Sequence, residues 1–335
     1  MPNEWTSQLQ DDREASRIDS RLRQSVRLSI WKMFLWRILP VAGVFVILGL
    51  VVIEVAKRFH STSNTVQSPA VVLLVTVMIL CPLIILSAKK VLALVVNLEM
   101  AHLELLIVLS KAIAKRDNAT EEHNLRVAIM AVHLAIAVGL DRRLIPGLFI
   151  GALLHDVGKI GISDSILLKP GKLLPEERQE MKRHVVYGNA ILTSATLPGG
   201  ARRVVHYHHE RFDGNGYPEG RKGAEIPQEA RLFAIVDTFD ALISNRPYRQ
   251  PIALEEALHI MERERGTHFD PDYLEAFNMI AGALYNRVVR IAPKYLMDQA
   301  LELVEKYILL NGHDTLQSDG KMIDLDALVA KLDLG

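Results

Sequence analysis

Two long apolar runs near the start of the chain constrain its fold more than any other feature. Phe34 to Ala56 is apolar apart from Arg37 and Glu54, and Ser61 to Ala88 carries no charge, with its apolar core at Pro69 to Leu86. Each approaches the roughly 20 residues a helix needs to cross a hydrocarbon core about 30 Å thick. Lipid offers the backbone no hydrogen bonds, so a chain placed there satisfies its own N–H and C=O groups as helix. Two such runs joined by a short link predict a transmembrane hairpin with the lipid bilayer as partner. Trp31 and Trp36 stand where interfacial aromatics belong, and Arg37 can snorkel to the headgroups. A cleaved signal peptide would begin close to Met1, whereas a polar lead-in comes first here. A buried hairpin in a soluble core is the remaining alternative. Arg13, Arg17, Arg21, Arg23, Arg27, Lys32 and Arg37 precede the first run and Lys89 and Lys90 follow the second, while the link has only Lys57 and Arg58. That bias predicts both ends on the cytoplasmic side.

Downstream the pattern is helical throughout, and the chain is expected to be all-α. The divisions read as a lead-in at 1–33, the transmembrane hairpin at 34–88, a helical linker at 89–115, a helical bundle at 116–285 and a C-terminal helical tail at 286–335. Expected bundle helices cover about 120–138, 142–157, 175–195, 200–209, 228–244, 253–265 and 271–285, separated by glycine and proline breaks. In the linker, Val91, Leu94, Leu98, Ala101, Leu105, Val108 and Ala112 recur at spacings of three and four, a heptad seam. The seam can join two copies through 91–112. Alternatively the helix packs on the following bundle, since Leu92, Val96, Leu103 and Leu106 form a second apolar face. The 39 basic and 39 acidic residues cancel, which excludes a global basic footprint for a nucleic-acid polymer. The lone cysteine, Cys81, excludes an internal disulfide framework.

Chemistry is concentrated in the bundle. His208-His209-Glu210-Arg211-Phe212-Asp213-Gly214-Asn215-Gly216-Tyr217-Pro218 sets adjacent histidines before a glycine-rich turn, and His123, His155-Asp156, His184 and Asp237 flank it. Imidazole and carboxylate ligands of this kind suit a dinuclear hydrolytic centre built by facing helices. A carboxylate has two oxygens and can touch two cations, so Asp156 is the natural bridge. His184 is expected in mid-helix, with Gly188 one turn on leaving room for close approach. His102, His133, His206, His259, His268 and His313 read as structural or solvent-facing histidines.

The order His123, His155-Asp156 with Lys159, His184 with Gly188, His208-His209-Glu210, Gly216-Tyr217-Pro218, Asp237, Arg246-Pro247-Tyr248-Arg249 and Gly266-Thr267-His268-Phe269-Asp270-Pro271 closely resembles the HD-GYP family. These are metal-dependent phosphodiesterases of cyclic di-GMP within the all-helical HD phosphohydrolases, and the resemblance spans about 116–285. It implies metal ligands at His123, His155, Asp156, His184, His208, His209 and Asp237. It also implies a catalytic pair in Asp156 and Lys159, and substrate contacts from Lys159, Tyr217, Arg246 and Arg249. Asp240 is expected to be a supporting carboxylate. Family members with three metals carry a glutamate four residues before the first histidine. Ala119 stands there in this chain, so two divalent ions, iron or manganese, are expected. Arg221 replaces the family's usual leucine. With the hairpin, the resemblance implies hydrolysis of cyclic di-GMP to pGpG at the cytoplasmic face of a bacterial inner membrane. Another HD-class nucleotide hydrolase and a non-catalytic cyclic di-GMP receptor are the alternatives.

Overall fold

The computed structural model describes residues 69–117, 122–245, 250–304 and 306–307, with single helical positions at 43, 47, 50, 51 and 54. The predicted first span falls outside these residues apart from those single positions. So do Asn118 to Glu121, the Arg246 to Arg249 segment and the tail helix expected near 322–333. Two compact units divide the chain, Met1–His102 and Leu103–Gly335.

Every element among the described residues is helical, and the extended pairing is confined to an isolated bridge between Arg265 and Phe269. Helix α1, Pro69–Arg116, continues through Pro82 without a break. Its Thr76–Arg116 part is long and apolar enough to cross a membrane, and the apolar 18-residue window within it is unburied; Arg142–Gly161 passes the same test, but its window is mostly buried. The two faces of α1 divide sharply. Val91, Leu94, Leu98, Ala101, Leu105, Val108 and Ala112, the seam positions, are all exposed, whereas Leu103, Ile107, Ser110, Ile113 and Ala114 are buried.

Helix α2, His123–Ala137, is buried on nearly every side, as its apolar run from Val127 to Val132 requires. It ends where Gly139 adopts φ +68°. Around it pack α3 (Ile145–Leu154), α8 (Gln228–Ile243), α10 (Pro271–Leu284) and α11 (Pro293–Val304), while α7 (Ala201–Tyr207) packs on α3 and α8. Short α4 (Asp164–Leu167), α5 (Pro175–Lys182) and α6 (His184–Leu192) fill one side, and α9 (Leu254–Arg263) follows α8. Pro271 opens α10 while the Asp270 carboxylate accepts from the Asp272 and Tyr273 amides.

The helix expected over 175–195 is broken. It stops at Lys182 and restarts at His184, because the His184 ring nitrogen Nδ1 takes the Met181 carbonyl that the helical ladder would use. His184 therefore opens a helix instead of lying in the middle of one. The helix expected over 142–157 likewise ends at Leu154 and resumes as a 3-10 turn, Val157–Gly161. Both breaks sit at candidate ligands, His184 and the His155-Asp156 pair.

Candidate metal centre

Helix ends and one helix interior bring the candidate ligands together. His155 caps the end of α3 and Asp156 leads into the 3-10 turn; His208 caps α7, with His209 directly after it. His123 and His184 are the first residues of α2 and α6, and Asp237 comes from α8. Two triads of ligand atoms result, His123–His155–Asp237 and His184–His208–His209, each with its atoms within 4.8 Å of one another and each able to hold a metal ion. They are neighbours, since the His155 and His208 rings are 5.3 Å apart. Asp156 lies between them: Oδ2 is 3.1 Å from His155 Nε2 and Oδ1 is 3.6 Å from His184 Nε2.

The imidazoles are oriented from behind. Nδ1 of His155, His184 and His208 hydrogen-bonds to the carbonyls of Ala152, Met181 and Val205, leaving each Nε2 directed to the centre. His123 instead uses a carboxylate: Nδ1 is 2.7 Å from Asp240 Oδ2, and Asp240 is itself gripped by Arg126 Nε at 2.6 Å and Nη2 at 2.9 Å. Such partners set the tautomer and aim of a ligand. Asp240 lies one turn after Asp237 on α8, so one helix supplies a candidate ligand and a support. Phe233 packs against the rings of His155 and His208, giving the centre an apolar wall.

Electrostatics separate the triads. Burial and then repulsion from His184 lower His209 to about 3; burial with the neighbouring His209 holds His208 well below its ordinary value, and burial lowers His184 too. Burial also opposes a charge on His123, but hydrogen bonds to Asp237 and Asp240 outweigh it and raise this histidine to about 9. Burial would raise Asp156 and Asp237; Lys159 and His155 hold the first low, and His123 and His155 the second. Burial resists the charge of Asp240 as well, yet Arg126 and His123 bring it to about 2.

A pH dependence follows for the metal-free protein. His184, His208 and His209 have folded values below the 6.5 of the free side chain, so the unfolded chain binds more protons as pH falls beneath 6.5. Stability is then expected to drop between pH 6.5 and 5, by up to about 1.4 kcal/mol per pH unit for each histidine kept neutral. His123 acts in the other window: its stabilisation is complete below 6.5 and is lost as pH rises toward 9. The carboxylates titrate below both windows. Thermal unfolding of chelated protein from pH 5 to 9 measures this, and a midpoint that climbs on acidification from 6.5 to 5 contradicts a neutral imidazole cluster.

The substrate-side candidates are partly described. Tyr217 lies over His209, with ring centroids 4.8 Å apart and its amide donating to the His209 carbonyl. Lys159 Nζ donates to Asp156 at 2.8 Å and to Asp117 at 2.5 Å. Arg246 and Arg249 lie outside the described residues. Two residues beside the substrate-side candidates have no role in the sequence reading. Asp117 is one. The other is Glu210, buried, whose Oε1 accepts from the Glu219 and Gly220 amides and so ties down the loop carrying Tyr217. A glutamate directly after the histidine pair was its only signal. Arg221, the departure from the family pattern, stacks on Tyr207 and bonds its hydroxyl. His133 is absent from both triads, and His206 and His268 contact Glu219 and Phe269 instead.

Several curated relatives match part of the chain. A "Cyclic di-GMP phosphodiesterase" of Thermotoga maritima is 42% identical over 177 residues, 52% of this chain and 48% of the relative. A "Cyclic di-GMP phosphodiesterase response regulator" of Xanthomonas campestris pv. campestris is 40% identical over 191 residues, 56% of this chain and 50% of the relative. A "3'3'-cGAMP-specific phosphodiesterase 2" of Vibrio cholerae serotype O1 is 39% identical over 184 residues, 54% of this chain and 35% of the relative. The chain thus spans about half the length, or less, of these relatives. The helices that converge on the two triads fall within the segment, residues 107–273, that matches the HD domain family.

Proposed function

We propose that this chain hydrolyses the phosphodiester bond of cyclic di-GMP to the linear dinucleotide pGpG at a centre of two divalent ions, iron or manganese. The observation that carries this reading is the pair of adjacent ligand triads with Asp156 between them. The residues fit cations: the buried Nε2 atoms of His184 and His208 have no hydrogen-bond partner, and an imidazole lone pair left in that state suits a metal. Cations held there would supply an activated water and neutralise charge on the phosphoryl oxygens.

The remaining work falls to the chain. Asp156 spans the triads with one oxygen toward each. Lys159 neutralises the phosphate, Tyr217 positions the substrate from the glycine loop, and Arg246 and Arg249 secure the distal phosphate or a guanine. Two of the relatives above carry cyclic di-GMP in their names, which supports the substrate. The third names 3'3'-cGAMP at nearly the same identity, and favours a second reading in which another cyclic dinucleotide is cleaved.

The full chain in detergent, loaded with iron(II) or manganese(II) and given each dinucleotide, tests both. Cyclic di-GMP is expected to turn over faster, with pGpG as product. Faster cleavage of 3'3'-cGAMP favours the second reading, and full metal occupancy without hydrolysis of either leaves a receptor. The reading also sets the centre at the cytoplasmic face of a bacterial inner membrane, as a homodimer through 91–112. The wholly exposed seam of α1 supports pairing. Recovery in the soluble fraction, or a monomer mass by light scattering in detergent, overturns the respective assignment.

A further inference from the structure

Asp117 lies immediately beyond α1 and belongs to neither triad. Its Oδ2 accepts from Lys159 Nζ at 2.5 Å while Asp156 Oδ2 accepts from the same nitrogen at 2.8 Å. The three side chains are comparably shielded, at 19% exposed for Lys159 and Asp117 and 17% for Asp156. An ammonium has three donors on a flexible four-carbon stem. With two committed to separate carboxylates, the third has a defined direction. Asp156 alone would let Nζ swing about a single contact.

The preceding residue holds the backbone. Arg116 donates to the carbonyls of Lys159 at 2.6 Å and Ile162 at 2.7 Å, and to Asp164 Oδ1 at 2.8 Å. These are the carbonyls within and just past the 3-10 turn, so the end of α1 anchors both the main chain and the side chain of one residue. Ordinary surface pairing does not explain this arrangement, since an exposed ion pair has no need of a second, backbone-directed clamp.

We infer that Asp117 is a positioning residue: it aims the free N–H of Lys159 at a phosphate oxygen of the bound cyclic dinucleotide. The inference rests on the phosphodiesterase reading and goes beyond it, because it assigns a role to a residue outside the ligand set.

The test is a double-mutant cycle on the full chain in detergent, with cyclic di-GMP as probe: wild type, Asp117→Ala, Lys159→Ala and the double variant. Asp117→Ala is expected to keep wild-type metal content and unfolding midpoint yet lower kcat by roughly 10- to 100-fold, the penalty for a misplaced group. The loss falls on kcat more than on KM. Asp117→Asn, which still accepts a hydrogen bond, recovers part of it. In the double variant Asp117→Ala adds nothing to the loss from Lys159→Ala, since the carboxylate acts only through the ammonium. Additive losses, or wild-type kcat in Asp117→Ala, overturn the inference. The same cycle read in equilibrium binding separates the two failures. Wild type that binds without turnover sinks the phosphodiesterase reading, while coupling or additivity in the binding constants still decides the role of Asp117. Wild type that neither binds nor hydrolyses sinks both.

Discussion

Asp156→Asn is expected to reduce hydrolysis of cyclic di-GMP by about 1,000-fold or more. The substitution keeps shape and volume, so the fold survives, but it replaces one carboxylate oxygen by an amide nitrogen that cannot ligate. Asp156 faces His155 with one oxygen and His184 with the other, so either orientation of the amide takes a ligand from one of the two triads. Loss of one cation's charge stabilisation amounts to several kcal/mol at the transition state, and each 1.36 kcal/mol is tenfold in rate. Lys159 loses the charge of one of its two carboxylate partners as well. Turnover measured beside metal content per chain checks the expectation. An Asn variant with full metal content and activity within about tenfold of wild type would show that Asp156 is not the bridge.

Gly158→Ala is expected to damage both the fold and the candidate metal centre. A Cβ there would lie 1.8 Å from the His184 carbonyl oxygen and 2.4 Å from the Gly188 amide nitrogen. Both obstacles are backbone, so no side-chain rotation relieves the clash. The 3-10 turn and α6 would have to separate, which withdraws Asp156 and Lys159 from His184. Overpacking of well-packed cores costs about 1–3 kcal/mol, and a backbone-on-backbone clash is expected at or above the top of that range. The variant should melt well below wild type and lose metal from the His184 triad. Gly282→Ala is the control: nothing lies within 4 Å of its Cβ, and in a helix the exchange is expected to be neutral or stabilising by up to about 1 kcal/mol. Wild-type melting and metal content in Gly158→Ala would refute the close-packing account.

Much of the helical architecture was readable because glycine and proline punctuate it and the apolar spacing between them is regular. The break at Arg183 was not, because it depends on a ring nitrogen competing for a carbonyl three residues back, and nothing in the local sequence announces that choice. The chemistry of the candidate ligands was also readable, since imidazole and carboxylate side chains at turns carry their affinity for cations in their composition. Their grouping was a different matter.

By itself the sequence determined a helical pattern, a set of histidines and aspartates of the type that binds metal, and an apolar seam along 91–112. These are local properties of residue type and spacing. Only the tertiary structure decided that the candidate ligands divide into two triads with Asp156 between, that Asp240 and Arg126 brace His123, and that Asp117 holds Lys159. It also decided which face of α1 is covered: Leu103, Ile107 and Ile113 turn inward and the seam turns out. The physical reason is range. Hydrogen bonds and ion pairs between residues 42 to 117 positions apart depend on how helices pack, and packing is settled by the whole core.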